Sequence, residues 1–116
     1  MIVDAGPFID SERINSRLYA AIKRATERGE ELHTTHPVLA QVLRDPTRQA
    51  GLSRVVRGFT RHALDDGAAV GKLLSSSETS DVVDAHLVVV AQALGTFVLT
   101  ADPDDMRQLS ARFETY

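Results

Sequence analysis

Residues 80–103 read SDVVDAHLVVVAQALGTFVLTADP and carry the pattern that decides the fold. Residues 81–94 are apolar on almost every side, which predicts a helix buried between two layers, and Gly95 ends that helix. Residues 96–100 then form a short apolar strand that leads into Ala101, Asp102 and Pro103. A buried helix followed at once by such a strand is typical of an α/β protein with a mostly parallel sheet.

The same alternation of strand and helix continues on both sides of this stretch. Hydrophobic spacing and turn residues predict the following further elements: strands at 1–4, 32–35 and 59–64, helices at 14–28, 36–44, 47–58, 65–74 and 104–109, a loop at 75–80 and an edge strand at the end. The 116 residues fit one domain, 1–116, and contain neither a repeat nor a linker. We therefore predict a single α/β domain with a mostly parallel sheet.

The composition excludes several classes of protein. Hydrophobic residues make up 43% and charged residues 25% of the chain, which excludes a mainly disordered protein, a collagen-like repeat and a coiled coil. The absence of cysteine excludes disulfides, thiolate zinc sites and a cysteine nucleophile. There is no apolar run long enough for a membrane span, and the amino-terminal segment lacks the basic region of a signal peptide. We expect a cytoplasmic protein.

The charges are unevenly placed, although the formal net charge is only −3. From Leu73 to Met106 there is no Lys or Arg, whereas that stretch contains several acids. A second stretch is rich in arginine: Arg44, Arg48, Arg54, Arg57 and Arg61. Arginine suits bidentate phosphate binding, so these residues are candidates for contact with the phosphates of a polyanion. A metal-dependent enzyme that acts on a polyanion needs both kinds of region; alternatively, both are solvated helix faces.

Acidic residues follow two of the predicted strands. Asp4 ends the first strand and Asp102 follows the strand at 96–100, and the carboxyl ends of parallel strands meet at one edge of the sheet. Asp81 and Asp84 share a face in the first turn of the buried helix. We expect Asp84 to approach Asp4 and Asp102 there.

Carboxylates crowded in this way repel one another, and a divalent cation such as Mg²⁺ relieves the repulsion. A bound metal ion can activate water and stabilise the charge that builds on a phosphodiester. The alternative is purely structural. Asp81 is then an N-cap, and Asp84 favours the helix dipole.

Four segments of the chain resemble the successive motif blocks of PIN-domain proteins, especially VapC-like toxins. They are MIVDAGPFID (1–10), THPVLAQVLR (35–44), SDVVDAHLVVVAQALG (80–95) and FVLTADPDDM (97–106). The resemblance implies an αβα sandwich with a central parallel sheet. It also implies a Mg²⁺- or Mn²⁺-dependent endoribonuclease that hydrolyses RNA with metal-activated water, a cognate antitoxin partner and a homodimer. An apolar surface for the dimer could come from Ile14, Leu18, Ile22, Val38 and Leu43, which fit the core equally well.

Position by position, the resemblance makes Asp4, Asp84 and Asp102 the catalytic and metal-binding residues. Thr100 matches the small hydroxyl residue beside the last acid, and Asp105 and Asp81 are auxiliary acids. The second acidic position of the family, usually Glu, is Gln41 in this sequence. An amide oxygen can still accept a hydrogen bond or coordinate, but it supplies neither charge nor a base.

Gln41 therefore supports an alternative function, a weakened or inactive PIN-like module that binds RNA or a partner protein. Two other classes are disfavoured by the residues themselves. A receiver-like phosphoacceptor domain needs a Lys after its last strand, and none follows Lys72. A nucleotide-binding Rossmann or P-loop protein needs a glycine-rich loop after its first strand, which is absent.

Overall fold

The structure is a computed structural model that describes residues 1–12 and 17–116. Strands and helices alternate along these residues. In chain order they are β1 (Ile2–Val3), α1 (Ala5–Ser11), α2 (Arg17–Glu27), β2 (His33–Thr35), α3 (His36–Val42), α4 (Ala50–Val56), β3 (Thr60–His62), α5 (Gly67–Ser77), α6 (Val82–Leu94), β4 (Val98–Leu99), α7 (Pro103–Gln108) and β5 (Phe113–Glu114).

The strands form one parallel sheet in the order β3-β2-β1-β4-β5. Ile2 pairs with His33 of β2 on one side and with Val98 of β4 on the other. The chain therefore leaves β1 toward β2 and β3 and later returns to β4 on the opposite side of β1. Right-handed crossovers then place α1–α4 on one face and α5–α7 on the other, which gives an αβα sandwich. The reversal of strand order lies between β1 and β4, where ligands usually bind in such sheets.

The core lies between the sheet and these two helical layers. Ile2, Val3 and Val98 are fully buried in the central strands, and Leu87 and Val88 of α6 are fully buried against them. Only one face of α6 is buried, because Val82 and Leu94 are 46% and 42% exposed. The predicted helix at 81–94 is present, but the prediction that it is buried between two layers was wrong, since α6 belongs to an outer layer of the sandwich.

The apolar residues considered for a dimer surface belong mainly to this core. Leu18 and Val38 are buried, and Ile22 and Leu43 are partly buried against the core. Ile14 lies outside the described residues. The packing thus favours the core role of these side chains.

Local signals explain where most elements begin and end. Thr35 caps α3 by accepting a hydrogen bond from the Val38 N–H, and Gly95, at φ 67°, ends α6. Two elements differ from the prediction: Ala5–Ser11 forms α1, a helix that was not predicted, and residues 75–77 continue α5 instead of forming a loop. Ser77 Oγ donates to the Leu73 carbonyl, so the serines that suggested a loop bond back to the helix. Ile14, the predicted start of the helix at 14–28, lies outside the described residues.

The edge strand β3 is tied to β2 by a pair of histidines. His33 Nδ1 lies 3.0 Å from His62 Nε2, and burial lowers the pKa of His33 below its ordinary value. Burial therefore favours the neutral ring of His33, in which one nitrogen donates and the other accepts. Across the residues described, no helix is both long and apolar enough to cross a bilayer.

Candidate active site

Asp4 is the buried acid at the carboxyl end of the central strand β1. Its side chain is 5% exposed. Oδ1 accepts a hydrogen bond of 2.7 Å from the Ala5 N–H at the start of α1, and Oδ2 accepts one of 2.9 Å from the Thr100 hydroxyl. Burial raises the pKa of Asp4, and these two hydrogen bonds oppose that rise.

Thr100 joins the ends of β1 and β4 through a single hydroxyl group. This fully buried side chain donates to Asp4 and accepts the Asp102 N–H at 2.9 Å. The carboxylate after β1 and the backbone that carries Asp102 are therefore held together. Thr100, which the resemblance made auxiliary, has a direct structural link to both acids.

Asp84 faces the same region from the first turn of α6. Burial, followed by the charges of Asp4, Asp81, Asp105 and Asp102, raises its pKa from 3.8 to about 7. Its side-chain oxygens have no hydrogen-bond partner among residues 1–12 and 17–116. Asp84 is thus an acid held among other acids, without a protein donor to stabilise its charge.

Asp81 has the structural role that the sequence left open. Its Oδ1 accepts the Asp84 N–H at 3.0 Å and caps α6. It is also exposed and lines a groove of about 270 Å³ with Glu78, Asp84 and Asp105. Asp102 and Asp105 are exposed near the start of α7.

We call Asp4, Asp81, Asp84, Asp102 and Asp105 the aspartate cluster. Burial and the charges of the other four aspartates raise the pKa of Asp84. The five side chains do not form a complete set of metal ligands. In the part of the chain that is described, no three His, Cys, Asp or Glu side chains are arranged to hold a metal ion.

The donor chemistry of the cluster nevertheless fits a hard divalent cation. Mg²⁺ takes carboxylate oxygens, keeps several waters and often uses only one or two protein ligands. Asp84 offers oxygens without hydrogen bonds, and each Asp4 oxygen keeps acceptor capacity beyond the one hydrogen bond that it receives. These two residues are the best candidates to hold such an ion.

The other candidate residues make no hydrogen bond to the aspartate cluster within the described residues. Gln41 is half-buried in α3, without a hydrogen bond to the aspartate cluster in the residues that the structure describes. The arginines of the second stretch lie on the connection from β2 to β3 and on β3, and all are exposed: Arg44, Arg48, Arg54, Arg57 and Arg61. Two strands, β2 and β1, separate β3 from β4, so these arginines belong to the other end of the sheet.

A feature that the sequence did not reveal lies beside Thr100. A second groove, of about 210 Å³, is lined by Asp10, Arg17, Thr100, Ala101, Thr115 and Tyr116. The Tyr116 hydroxyl is hydrogen-bonded to Asp10 Oδ2. These residues are far apart in sequence and share no motif. They meet because the parallel pairing of β5 with β4 brings Tyr116 to this edge of the sheet.

Comparison with solved structures identifies the fold. VapBC2 from Rickettsia felis, bound to a DNA fragment from its promoter, matches with a TM-score of 0.80 and 12% identity over 98% of this chain and 96% of that chain. FitAcB from Neisseria gonorrhoeae matches with a TM-score of 0.74 and 13% identity over 97% and 94%. The chain has a PIN-like fold.

A third structure agrees with this assignment. PAE2754 from Pyrobaculum aerophilum matches with a TM-score of 0.68 and 17% identity over 97% of this chain and 81% of that chain. No protein-family model matches the sequence, and neither does any curated protein. The PIN-like sandwich is therefore recognisable by its three-dimensional arrangement at identities of 12–17%.

Proposed function

We propose that this protein is a VapC-like, Mg²⁺- or Mn²⁺-dependent endoribonuclease in which Asp4, Asp84 and Asp102 hold the metal. The observation that carries the proposal is Asp84, an acid whose pKa is raised to about 7 by burial and by neighbouring aspartates. Such a costly arrangement is typical of functional sites. Its place beside the ends of β1 and β4 is where a parallel sheet binds ligands.

The residues of the site have distinct tasks in this proposal. Asp4 is kept in place by the Ala5 N–H and the Thr100 hydroxyl, so it offers a fixed carboxylate. Asp84 offers a carboxylate without competing hydrogen bonds, and Asp81 fixes the turn that carries it. When bound, a divalent cation supplies Lewis acidity, which makes water a better nucleophile and offsets charge on the phosphodiester.

The partners follow from the same likeness. VapBC2 and FitAcB are complexes of toxin and antitoxin, and we propose that this chain is likewise paired with an antitoxin. The aspartate cluster would attract a basic side chain of such a partner, because opposite charges bind strongly where solvent is partly excluded. A homodimer and a cytoplasmic location are further parts of the proposal.

Cleavage of a labelled single-stranded RNA with Mn²⁺ or Mg²⁺ tests the proposed activity. We expect Asp4→Asn and Asp84→Asn to abolish cleavage, since each removes a charged ligand while preserving side-chain shape. Asp104→Asn is the matched control, because Asp104 is an exposed neighbour that pairs with Arg107 and does not act on Asp84. Cleavage that survives both cluster substitutions would disprove the proposed site.

Gln41 favours a second candidate, a PIN-like module that binds RNA or a partner protein without cutting. The usual acid is absent there, and the described residues form no ready metal cage. Titration of the purified protein with Mn²⁺, with and without Gln41→Glu, separates the two. A metal-binding nuclease gains affinity from the added charge, whereas the binding module shows neither saturable metal binding nor cleavage.

A further inference from the structure

The two grooves beside the aspartate cluster differ in charge. The groove next to Asp84 is lined by acidic and neutral residues such as Glu78, Asp81 and Gln108. The groove next to Thr100 is lined by Arg17 and Tyr116, and by Asp10, which is hydrogen-bonded to the Tyr116 hydroxyl. It lies next to the cluster, because Thr100, one of its lining residues, donates its hydroxyl hydrogen to Asp4.

A polyanion needs a cation to approach a cluster of carboxylates. No Lys or Arg occurs from Leu73 to Met106, and Arg107, the next basic residue along α7, is paired with Asp104. The arginine-rich stretch lies at the β3 end of the sheet, separated from β4 by two strands. Arg17 is the basic residue that lines the groove beside the cluster, and arginine binds phosphate in a fixed, forked geometry.

Tyr116 adds a second element of recognition. The bond from its hydroxyl to Asp10 anchors one end of the ring, and the half-buried side chain still lines the groove. An aromatic ring held beside a cation suits an unpaired nucleotide, because the base stacks on the ring and the phosphate meets the cation.

We propose that the Arg17–Tyr116 groove is the subsite for the nucleotide that flanks the scissile phosphate of single-stranded RNA. The flanking phosphate binds Arg17 and the base stacks on Tyr116. This inference rests on the proposed nuclease function, whose site it extends. It also assigns the path of the RNA to the β4 side of the sheet, away from the five arginines near β3.

Binding is measured without cleavage, by fluorescence anisotropy of a labelled six-nucleotide single-stranded RNA in EDTA. We expect Arg17→Gln to weaken binding about tenfold and to lower the salt dependence by about 0.7 in log–log slope. Tyr116→Leu should weaken binding about tenfold through lost stacking, whereas Tyr116→Phe keeps the ring and stays within about threefold. Arg24→Gln, an exposed arginine about two turns further along α2, is the matched control, and Arg57→Gln tests the alternative path at the β3 end.

Photocrosslinking locates the base independently of affinity. The same hexamer containing 4-thiouridine is irradiated with the full chain, and the crosslinked residue is identified by mass spectrometry. A crosslink at Tyr116 supports the subsite. Crosslinks on the β2–β3 connection, an Arg57→Gln effect larger than that of Arg17→Gln, equal losses for Tyr116→Phe and Tyr116→Leu, or no binding at low salt would each overturn it.

This design separates the subsite from the nuclease proposal. If RNA is cut and Asp84→Asn abolishes cutting, but Arg17→Gln leaves binding unchanged, the subsite is wrong and the nuclease assignment stands. If binding depends on Arg17 and Tyr116 while no RNA is cut with any metal, the subsite stands and the protein is the binding module. Thermal melting of each variant confirms that the fold is retained in both cases.

Discussion

Asp84→Asn should stabilise the metal-free protein at neutral and alkaline pH. The folded state raises the pKa of Asp84 from 3.8 to about 7, so its ionised carboxylate is favoured less in the folded chain than in the unfolded chain. The stability associated with the protonated group is complete below about pH 4. It declines as the pH rises to about 7, and the loss is constant above that.

The expected size follows from that pKa difference. It corresponds to roughly 4 kcal/mol at full strength, and the partial exposure of Asp84 reduces this to about half through solvent screening. The asparagine variant also gives up a favourable charge in the first turn of α6, which is worth about 0.3–1 kcal/mol. A net gain of about 1–2 kcal/mol remains, or about 3–8 °C in Tm for a domain of this size.

The assay is thermal unfolding in EDTA at several pH values from 4 to 8. Wild type and Asp84→Asn should melt together near pH 4, and the gap between them should widen to its full size near pH 7. Asp104→Asn serves as the control and should show no such widening, because Asp104 lies outside the aspartate cluster. A variant that melts below wild type at pH 8, or a gap that does not change with pH, would refute the reasoning.

Three further outcomes are expected from the same site. A concentration of Mn²⁺ ten times its Kd should stabilise the wild-type protein by about 1.4 kcal/mol at pH 8 and less at pH 5, where protons compete for Asp84. Calorimetry should show that this effect is absent in Asp84→Asn. In urea denaturation, Asp4→Ala should cost about 0.5–2 kcal/mol more than Asp4→Asn, because asparagine can still cap α1; equal losses would contradict the capping role. Gly6→Ala should cost about 1–3 kcal/mol, since its new Cβ would lie 2.7 Å from the Ala101 Cβ. A Gly6→Ala protein that melts like wild type would show that the loop after β4 gives way easily.

The sequence predicted most of the elements in their order, apart from α1, because their signals are local. Thr35 and Pro37 predicted the start of α3, and the apolar residues of 81–94 predicted the helix α6. The loop at 75–80 failed because serine favours loops only when its hydroxyl has no better acceptor, and Ser77 finds one in the preceding turn. Local composition cannot show whether a serine hydroxyl donates to a helix carbonyl or to another acceptor.

The site was predictable only in part. Acids at strand ends can be located once the strands are known, which is why Asp4 and Asp102 could be placed together. The identity of the residues around them could not. Tyr116 reaches this edge only through the pairing of β5 with β4, and the separation of the arginine-rich stretch from the aspartates depends on strand order. Both depend on the order and pairing of the strands, which produce no recognisable pattern in the neighbouring sequence.

The contrast between Asp4 and Asp84 determines which aspartate a homologue without activity would keep. Asp4 begins a helix and bonds to a buried hydroxyl group, so a lineage that abandoned catalysis would still be selected to keep it. The Asp84 side chain accepts no such hydrogen bonds, so random substitution would replace it first. Under the proposed function, aspartate at both places marks a homologue that is selected for ligand binding, whereas the architecture alone accounts for aspartate at position 4.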